Sequence, residues 1–199
     1  AGKPLMMVKE TATPWLVDWK KRQVVWQQAI PDGSAHHDLS AARHLAYTMQ
    51  GNLGVVTADG EVRAVTTDGS TDSSDAIVYG QSVHRNEFGI DKGTFWSPDG
   101  QHLAFYRMDQ SMVPSYPQVD ISQRIATAYT DRYPMAGEAS HHVGVGIYHV
   151  ATGQTTWLQL VGEKDDYHTN LSWSPDGSTL YIFELNRDQN DMRVVAYDT

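Results

Sequence analysis

The residues best suited to chemistry lie in one short stretch, His84-Arg85-Asn86-Glu87-Phe88. A carboxylate such as Glu87 accepts hydrogen bonds from an ammonium group, and charge-assisted bonds of that kind are the strong ones. Asn86 adds an amide oxygen, and Arg85 can orient Glu87 or meet a carbonyl. The bland alternative is an ion pair within the loop between Arg85 and Glu87, and the residues alone favour it. Other candidates are weaker. Ser97 and Ser174 both sit in Trp-Ser-Pro-Asp-Gly, no Gly-x-Ser-x-Gly elbow occurs, and no paired base stands out. A repeated turn explains both serines, so no catalytic residue is assigned. Asp99-Gly100 and Asp176-Gly177 are single acidic residues. A calcium ion needs roughly six to eight oxygens, so these pairs read as turns. The neighbours in His36-His37 and His141-His142 point to opposite faces of a strand, which makes each pair a poor zinc site. Gly144-x-Gly146 is not followed by a helical pattern and is not a dinucleotide fingerprint. No metal and no cofactor is expected.

Composition narrows the classes further. The chain has 199 residues, of which 40% are hydrophobic, enough to bury a core. Its 24 acidic and 15 basic residues give a net charge of −9. That balance argues against a nucleic-acid partner, which needs a basic face. Without cysteine there is no disulfide, thiolate nucleophile or cysteine-bound metal. No apolar run approaches the roughly 20 residues of a membrane span. The first ten residues, AGKPLMMVKE, have no signal-peptide pattern, and a signal already removed leaves no trace.

The elements that must position these residues are strands. Gln23 to Trp26 alternate, after a charged turn over Asp18–Gln23, and Pro31-Asp32-Gly33-Ser34 is a turn signal. Leu53–Val56, Asp59-Gly60 and Val62–Val65 make a hairpin signature. Thr66–Asp75 reads as a loop. Val143–Val150 alternates with Gly144 and Gly146 on one face, which marks a close backbone approach. The six Trp and ten Tyr read mainly as core and sheet-packing residues.

The strands repeat. Trp96-Ser97-Pro98-Asp99-Gly100-x-x-Leu103 recurs as Trp173-Ser174-Pro175-Asp176-Gly177-x-x-Leu180. Both copies then reach an Arg, Asp, Gln cluster (Arg107, Asp109, Gln110; Arg187, Asp188, Gln189), and Ser40 to Leu45-Ala46-Tyr47 is a worn copy one residue shorter. Trp96 and Tyr148 are 52 positions apart, Trp173 and Tyr197 only 24, so the first unit holds 28 extra residues if the tyrosines correspond. The Pro-interrupted stretch at about 109–140 fits that insertion. The spacing of 49 from Tyr148 to Tyr197 matches a four-stranded propeller blade of roughly 40 to 50 residues. The expected fold is all-β. It is a partial β-propeller of antiparallel four-stranded blades, about three to four of them, with almost no helix outside the insertion. A propeller closes to remove its edges. Residues 1–199 are therefore expected to be a single-domain fragment of a larger propeller.

Several ordered motifs resemble the N-terminal propeller of the dipeptidyl-peptidase IV family, within the prolyl oligopeptidase superfamily. They are Lys21-Arg22-Gln23 with Ile30-Pro31, Asn86-Glu87-Phe88 ahead of Phe95-Trp96-Ser97-Pro98, Leu103-Ala104-Phe105 with Val113-Pro114, and Tyr133-Pro134-Met135-Ala136-Gly137. The likeness runs from about residue 15 to the end and looks most like bacterial members. The resemblance implies an eight-bladed propeller with a C-terminal α/β-hydrolase domain that carries a Ser, Asp and His triad. It implies a gating and substrate-recognition role in a serine exopeptidase that removes N-terminal di- or tripeptides after Pro or Ala. Glu87 would then hold the substrate's amino terminus, with Asn86 and Arg85 beside it. It also implies a periplasmic or secreted location and a homodimer. Two positions depart from the family pattern. Asn86 stands where a second glutamate is usual, and Gln28 and Ala29 stand where an Arg is expected before Ile30-Pro31. The amine grip is one carboxylate short, and the Arg is absent or comes from elsewhere. The alternative is a stand-alone propeller serving as an interaction scaffold, because fold does not fix function.

Overall fold

A computed structural model of the chain describes residues 5–10, 13–70 and 76–199. The end of the expected loop, residues 71–75, lies outside the described residues, as do residues 1–4. Four antiparallel sheets follow one another along the chain. The first contains β1 (Leu5–Glu10), β2 (Thr13–Asp18) and β3 (Gln23–Gln27). The second contains β4 (Ala35–Leu39), β5 (Leu45–Met49), β6 (Asn52–Val56) and β7 (Val62–Ala64) in simple meander order. In the third, β8 (Ile77–Tyr79) and β9 (Thr94–Trp96) both pair with β10 (His102–Asp109). After β10 a separate hairpin forms from β11 (Ser115–Asp120) and β12 (Thr127–Arg132). The third sheet then resumes with β13 (His142–His149) and β14 (Gln154–Trp157). The fourth contains β15 (Tyr167–Trp173), β16 (Thr179–Leu185) and β17 (Met192–Asp198). No sheet among the described residues is closed. No described helix is long and apolar enough to cross a membrane.

The turns form where local chemistry dictates. Asp18 Oδ1 accepts the Lys20 and Lys21 N–H groups and ends β2. In each Trp-Ser-Pro-Asp-Gly turn the serine hydroxyl donates to the aspartate two residues on, at 2.6 Å for both Ser97 to Asp99 and Ser174 to Asp176. The same serine oxygens accept the N–H groups of His102 and Thr179, locking the next strand in place. Ser40 does this for His44 in the worn copy. These contacts give Ser97 and Ser174 their turn role.

The repeat is exact in register. Leu103 faces Trp96 and Tyr148, and Leu180 faces Trp173 and Tyr197. Trp96 Nε1 donates to the Asp38 carbonyl of the preceding sheet at 3.0 Å, and Trp173 Nε1 donates to the Phe95 carbonyl at 2.9 Å. Each tryptophan thus joins its sheet to the one before. Both are half-buried at the sheet junctions rather than in the core interior. Trp173→Phe keeps an aromatic ring, smaller than indole and without its N–H, and leaves the Phe95 carbonyl without this partner. It is expected to cost about 1 to 3 kcal/mol, measurable as a lower denaturant midpoint of the full-length protein, and Trp96→Phe is expected to lose a similar amount.

One sequence match does not survive the register. In strand order Asp109 corresponds to Asn186, not to Asp188 of the Arg187-Asp188-Gln189 cluster. Asp109 accepts the Ser111 N–H, and Asn186 accepts the Asn190 and Asp191 N–H groups. Either side chain can cap the turn that follows, so the turn constrains geometry and leaves residue type free.

Cores form between successive sheets. Leu45 and Tyr47 face one core with Ile30 and Val56. Ala46, Leu53, Val55, Leu103, Phe105 and Tyr148 fill the next. Ala104, Tyr106, Val143, Val145, Ile147, Leu180 and Ile182 fill the last. β10 is thus buried on both faces, with alternate residues sent to opposite cores, which is why its apolar run is continuous. Gly146 lies against Phe105, where a Cβ would come within 2.7 Å of the ring. Gly144 has no such neighbour, so the close approach read from the glycine pair belongs to Gly146 alone. The insertion is the β11–β12 hairpin, not helix. The helical turn that does form lies elsewhere, at His84–Gly89.

Candidate functional site

β8 and β9 are two halves of one interrupted strand. Tyr79, Val78 and Ile77 pair with Arg107, Met108 and Asp109, while Trp96, Phe95 and Thr94 pair with Leu103, Ala104 and Phe105. Only Tyr106 lies between the halves. Its N–H donates to the Gly93 carbonyl at 3.0 Å, and its carbonyl accepts the Gly80 N–H at 2.9 Å. Residues 81–92 leave and re-enter the sheet at this one point. The second and fourth sheets carry a smaller irregularity one register position away, opposite Tyr47 and Ile182. The register shifts between Ala35 and Asp38 at His36 (φ 49°) and between Thr169 and Ser172 at Asn170 (φ 51°). His36 therefore sits on a bulge rather than on a regular strand.

The neck of the loop is tight. A Cβ at Gly93 would lie 2.1 Å from the Gln81 carbonyl oxygen. Backbone would have to move, so Gly93→Ala is expected to cost about 1 to 3 kcal/mol, seen as a lowered melting temperature and lost amide protection over residues 81–92. Above the neck, Val83, His84 and Ile90 are buried between the third and fourth sheets. Arg85 to Gly89 form the exposed tip. His84, Arg85, Asn86 and Phe88 all have positive φ, between 51° and 62°. Non-glycine residues held in that region store strain, and such strain concentrates at functional sites.

Three histidines fix the base of the tip. His84 Nε2 accepts the His168 N–H of β15 at 3.1 Å, so its ring proton sits on Nδ1. That Nδ1–H donates to His141 Nε2 at 3.0 Å, which also accepts the His84 backbone N–H at 3.2 Å. His141 must then carry its own proton on Nδ1. The network works only with both rings neutral. Burial, with His141, His168 and Arg187 nearby, pushes the His84 pKa down to about 2. Burial, with Arg187, Arg85 and His142 nearby, brings His141 down to about 4. His168 is also lowered, chiefly by burial, with Glu184 and Asp166 opposing.

At the tip, the Arg85 guanidinium lies 4.4 Å from the centre of the Tyr133 ring, and its Nη1 is 3.4 Å from the Arg132 carbonyl oxygen. Asn86 Oδ1 accepts the Ser82 hydroxyl. Glu87 is exposed, with no polar partner for its carboxylate among the described residues. The ion pair between Arg85 and Glu87 therefore does not form, because Arg85 turns away to Tyr133. Phe88 packs edge-on against Tyr167 at 5.0 Å. Arg85 and Asn86, with Ser82, Met108, Gln110, Pro134 and His141, line a cavity of about 290 Å³. Sequence reasoning placed His84 in this stretch without giving it a role, and it did not assign His141, Ser82 or Gln110 to the site. The glycines at 80 and 93 were the available signal. A larger opening of about 430 Å³ lies between the second and third sheets, but its Tyr79, Asp68 and Arg107 are spent on one another. Among the described residues, no group of three or more His, Asp or Glu is placed to hold a metal ion.

The architecture has counterparts in known proteins. A Bacteroides ovatus protein described as a dipeptidyl aminopeptidase IV matches 98% of this chain with a TM-score of 0.83 and 46% identity, over 26% of its own length. Porphyromonas gingivalis dipeptidyl peptidase 4 matches 98% of the chain with a TM-score of 0.74 and 25% identity, over 28% of its length. Dipeptidyl aminopeptidase B of Saccharomyces cerevisiae is 28% identical over 168 residues, 78% of this chain and 20% of that protein. The chain spans about a fifth of the length of the curated relatives it matches. The family description "Dipeptidyl peptidase IV (DPP IV) N-terminal region" matches residues 9–199. With nearly the whole chain matched and the same all-β architecture, the protein belongs to the dipeptidyl peptidase IV N-terminal region family.

Proposed function

We propose that this region recognises and gates substrate in a serine exopeptidase that removes di- or tripeptides from N-termini, after Pro or Ala. The observation that carries this reading is Glu87, an exposed carboxylate without a partner among the described residues, on a loop rooted at one point of a sheet. A peptide's α-ammonium supplies the missing donor. Asn86 offers its amide beside that carboxylate, and Arg85 meets an acceptor on the peptide. The catalytic Ser, Asp and His belong to a C-terminal α/β-hydrolase domain of the full-length protein. The domain extent, residues 1–199 as one propeller fragment, and a periplasmic or secreted location are parts of the same reading and rest on the resemblance.

A second copy of the chain is a further partner in this reading. The β11–β12 hairpin stands apart from the cores with Val119 61% and Ile121 and Ile125 each 81% exposed, surface that a homodimer would cover. The test of function is the full-length protein on peptide amides with free and with N-acetylated amino termini. Release of dipeptides or tripeptides from free termini alone is the expected result. Cleavage that ignores acetylation, or internal cleavage of long peptides, would overturn it.

A further inference from the structure

The cavity beside the loop has an unbalanced lining. Its single formal charge is the Arg85 guanidinium, which has no carboxylate partner among the described residues of a chain whose net charge is −9. Hydrogen-bond donors surround that charge. His141 is only 5% exposed, and its Nε2 is occupied by His84, so its Nδ1–H is the polar group left for the cavity that it lines. Asn86 spends its oxygen on Ser82, and its amide NH2 has no partner among the described residues. Gln110 adds another amide. The remaining wall is Met108 and Pro134. An acidic group is absent from this lining, while Glu87 is only two residues from Arg85 along the same exposed tip.

We infer that this cavity is a subsite for the side-chain carboxylate of an acidic N-terminal residue, Asp or Glu, on the peptide whose α-ammonium Glu87 receives. The inference rests on the proposed amine-binding role of Glu87. The two unpaired charges of the tip match the two charges of such a residue. Arg85 supplies a forked donor suited to a carboxylate, and Asn86, Gln110 and the His141 Nδ1–H supply further donors around it. Asn86 acquires a reason here. A second glutamate at this position would put negative charge at the mouth of a carboxylate subsite. The His84–His141 bonds occupy His141 Nε2 and leave Nδ1–H as its remaining donor, so His84 acts as a positioning residue.

The test uses the full-length protein and paired chromogenic peptides that differ only in first-residue charge, Glu against Gln and Asp against Asn, each followed by Pro or Ala. The acidic member is expected to show at least about tenfold higher kcat/KM, the value of one charge-assisted bond, and the preference is expected to shrink as salt rises. Arg85→Gln should bring the Glu-to-Gln ratio close to one. Asn86→Asp should lower that ratio without removing the guanidinium. Calorimetric binding of the product dipeptides Glu-Pro and Gln-Pro gives the same comparison without turnover. Equal use of acidic and amide peptides by the unaltered protein, with acetylation still abolishing cleavage, would overturn the carboxylate subsite and leave the amine grip standing. Cleavage indifferent to acetylation would overturn the amine grip itself. A preference that survives Arg85→Gln unchanged would also overturn the subsite.

Discussion

Replacing Glu87 by Gln in the full-length protein is expected to lower kcat/KM on free-amine peptides by roughly 30-fold to several thousand-fold. Losing one partner of a desolvated charge pair costs about 2 to 5 kcal/mol, and each 1.4 kcal/mol is about tenfold. Glutamine keeps the shape of the side chain and removes only its charge. An N-acetylated peptide has no ammonium to lose, so its much slower cleavage should change little. The structure sharpens this comparison. Among the described residues the Glu87 carboxylate has no polar partner, so the substitution breaks no such contact within the loop. An equal loss on both substrates would mean that Glu87 acts on the loop's shape, and the amine-binding role would fall.

The second large effect is acid sensitivity of the loop. His84 and His141 hold their neutral forms in the folded state, with pKa values of about 2 and about 4, against about 6.5 for an ordinary histidine. Below pH 6.5 the locally unfolded loop binds protons that the folded loop refuses. Stability is therefore fully present above pH 6.5 and is lost as pH falls toward 4. For His141 alone the loss by pH 4 is about 3 kcal/mol, at 1.36 kcal/mol per pKa unit. Protonating His84 Nε2 removes the acceptor for the His168 N–H. Protonating His141 Nε2 turns the acceptor shared by two His84 N–H groups into a donor. Hydrogen exchange over residues 83–90 at pH 7 and pH 4.5, corrected for intrinsic rates, measures the effect. Protection should fall steeply at pH 4.5, and less so in His141→Gln. Unchanged protection would show that the histidines do not govern loop opening.

What was legible in the sequence was what short-range chemistry writes. The Trp-Ser-Pro-Asp-Gly turns, the Asp18 turn and the Asp59-Gly60 hairpin each close within a few residues, so their side chains announce them. The equivalence of Tyr148 and Tyr197 was legible because sheet register forces the period. The interrupted strand was not. Its halves are three residues each, too short to show alternation, and only their shared pairing with β10 reveals them as one strand. His84 meets His141 across 57 positions and His168 across 84, distances at which spacing carries no signal. The Arg85–Glu87 ion pair looked favourable in sequence because adjacency was the only geometry available. Tyr133 supplied the competitor.

The loop's attachment at a single register position has a consequence for how such a domain changes over time. Because Tyr106 bonds to both Gly80 and Gly93, the exposed tip at residues 85–89 can be lengthened, shortened or exchanged without disturbing a ladder bond of β10. In the neighbouring sheets one extra residue bulges out near His36 and near Asn170, one register position from the equivalent of Tyr106. Loop tip and sheet ladder are thus separable. A changed tip can be grafted onto an old sheet at one socket, and the bulges show that neighbouring sheets accept an extra residue close to the corresponding position.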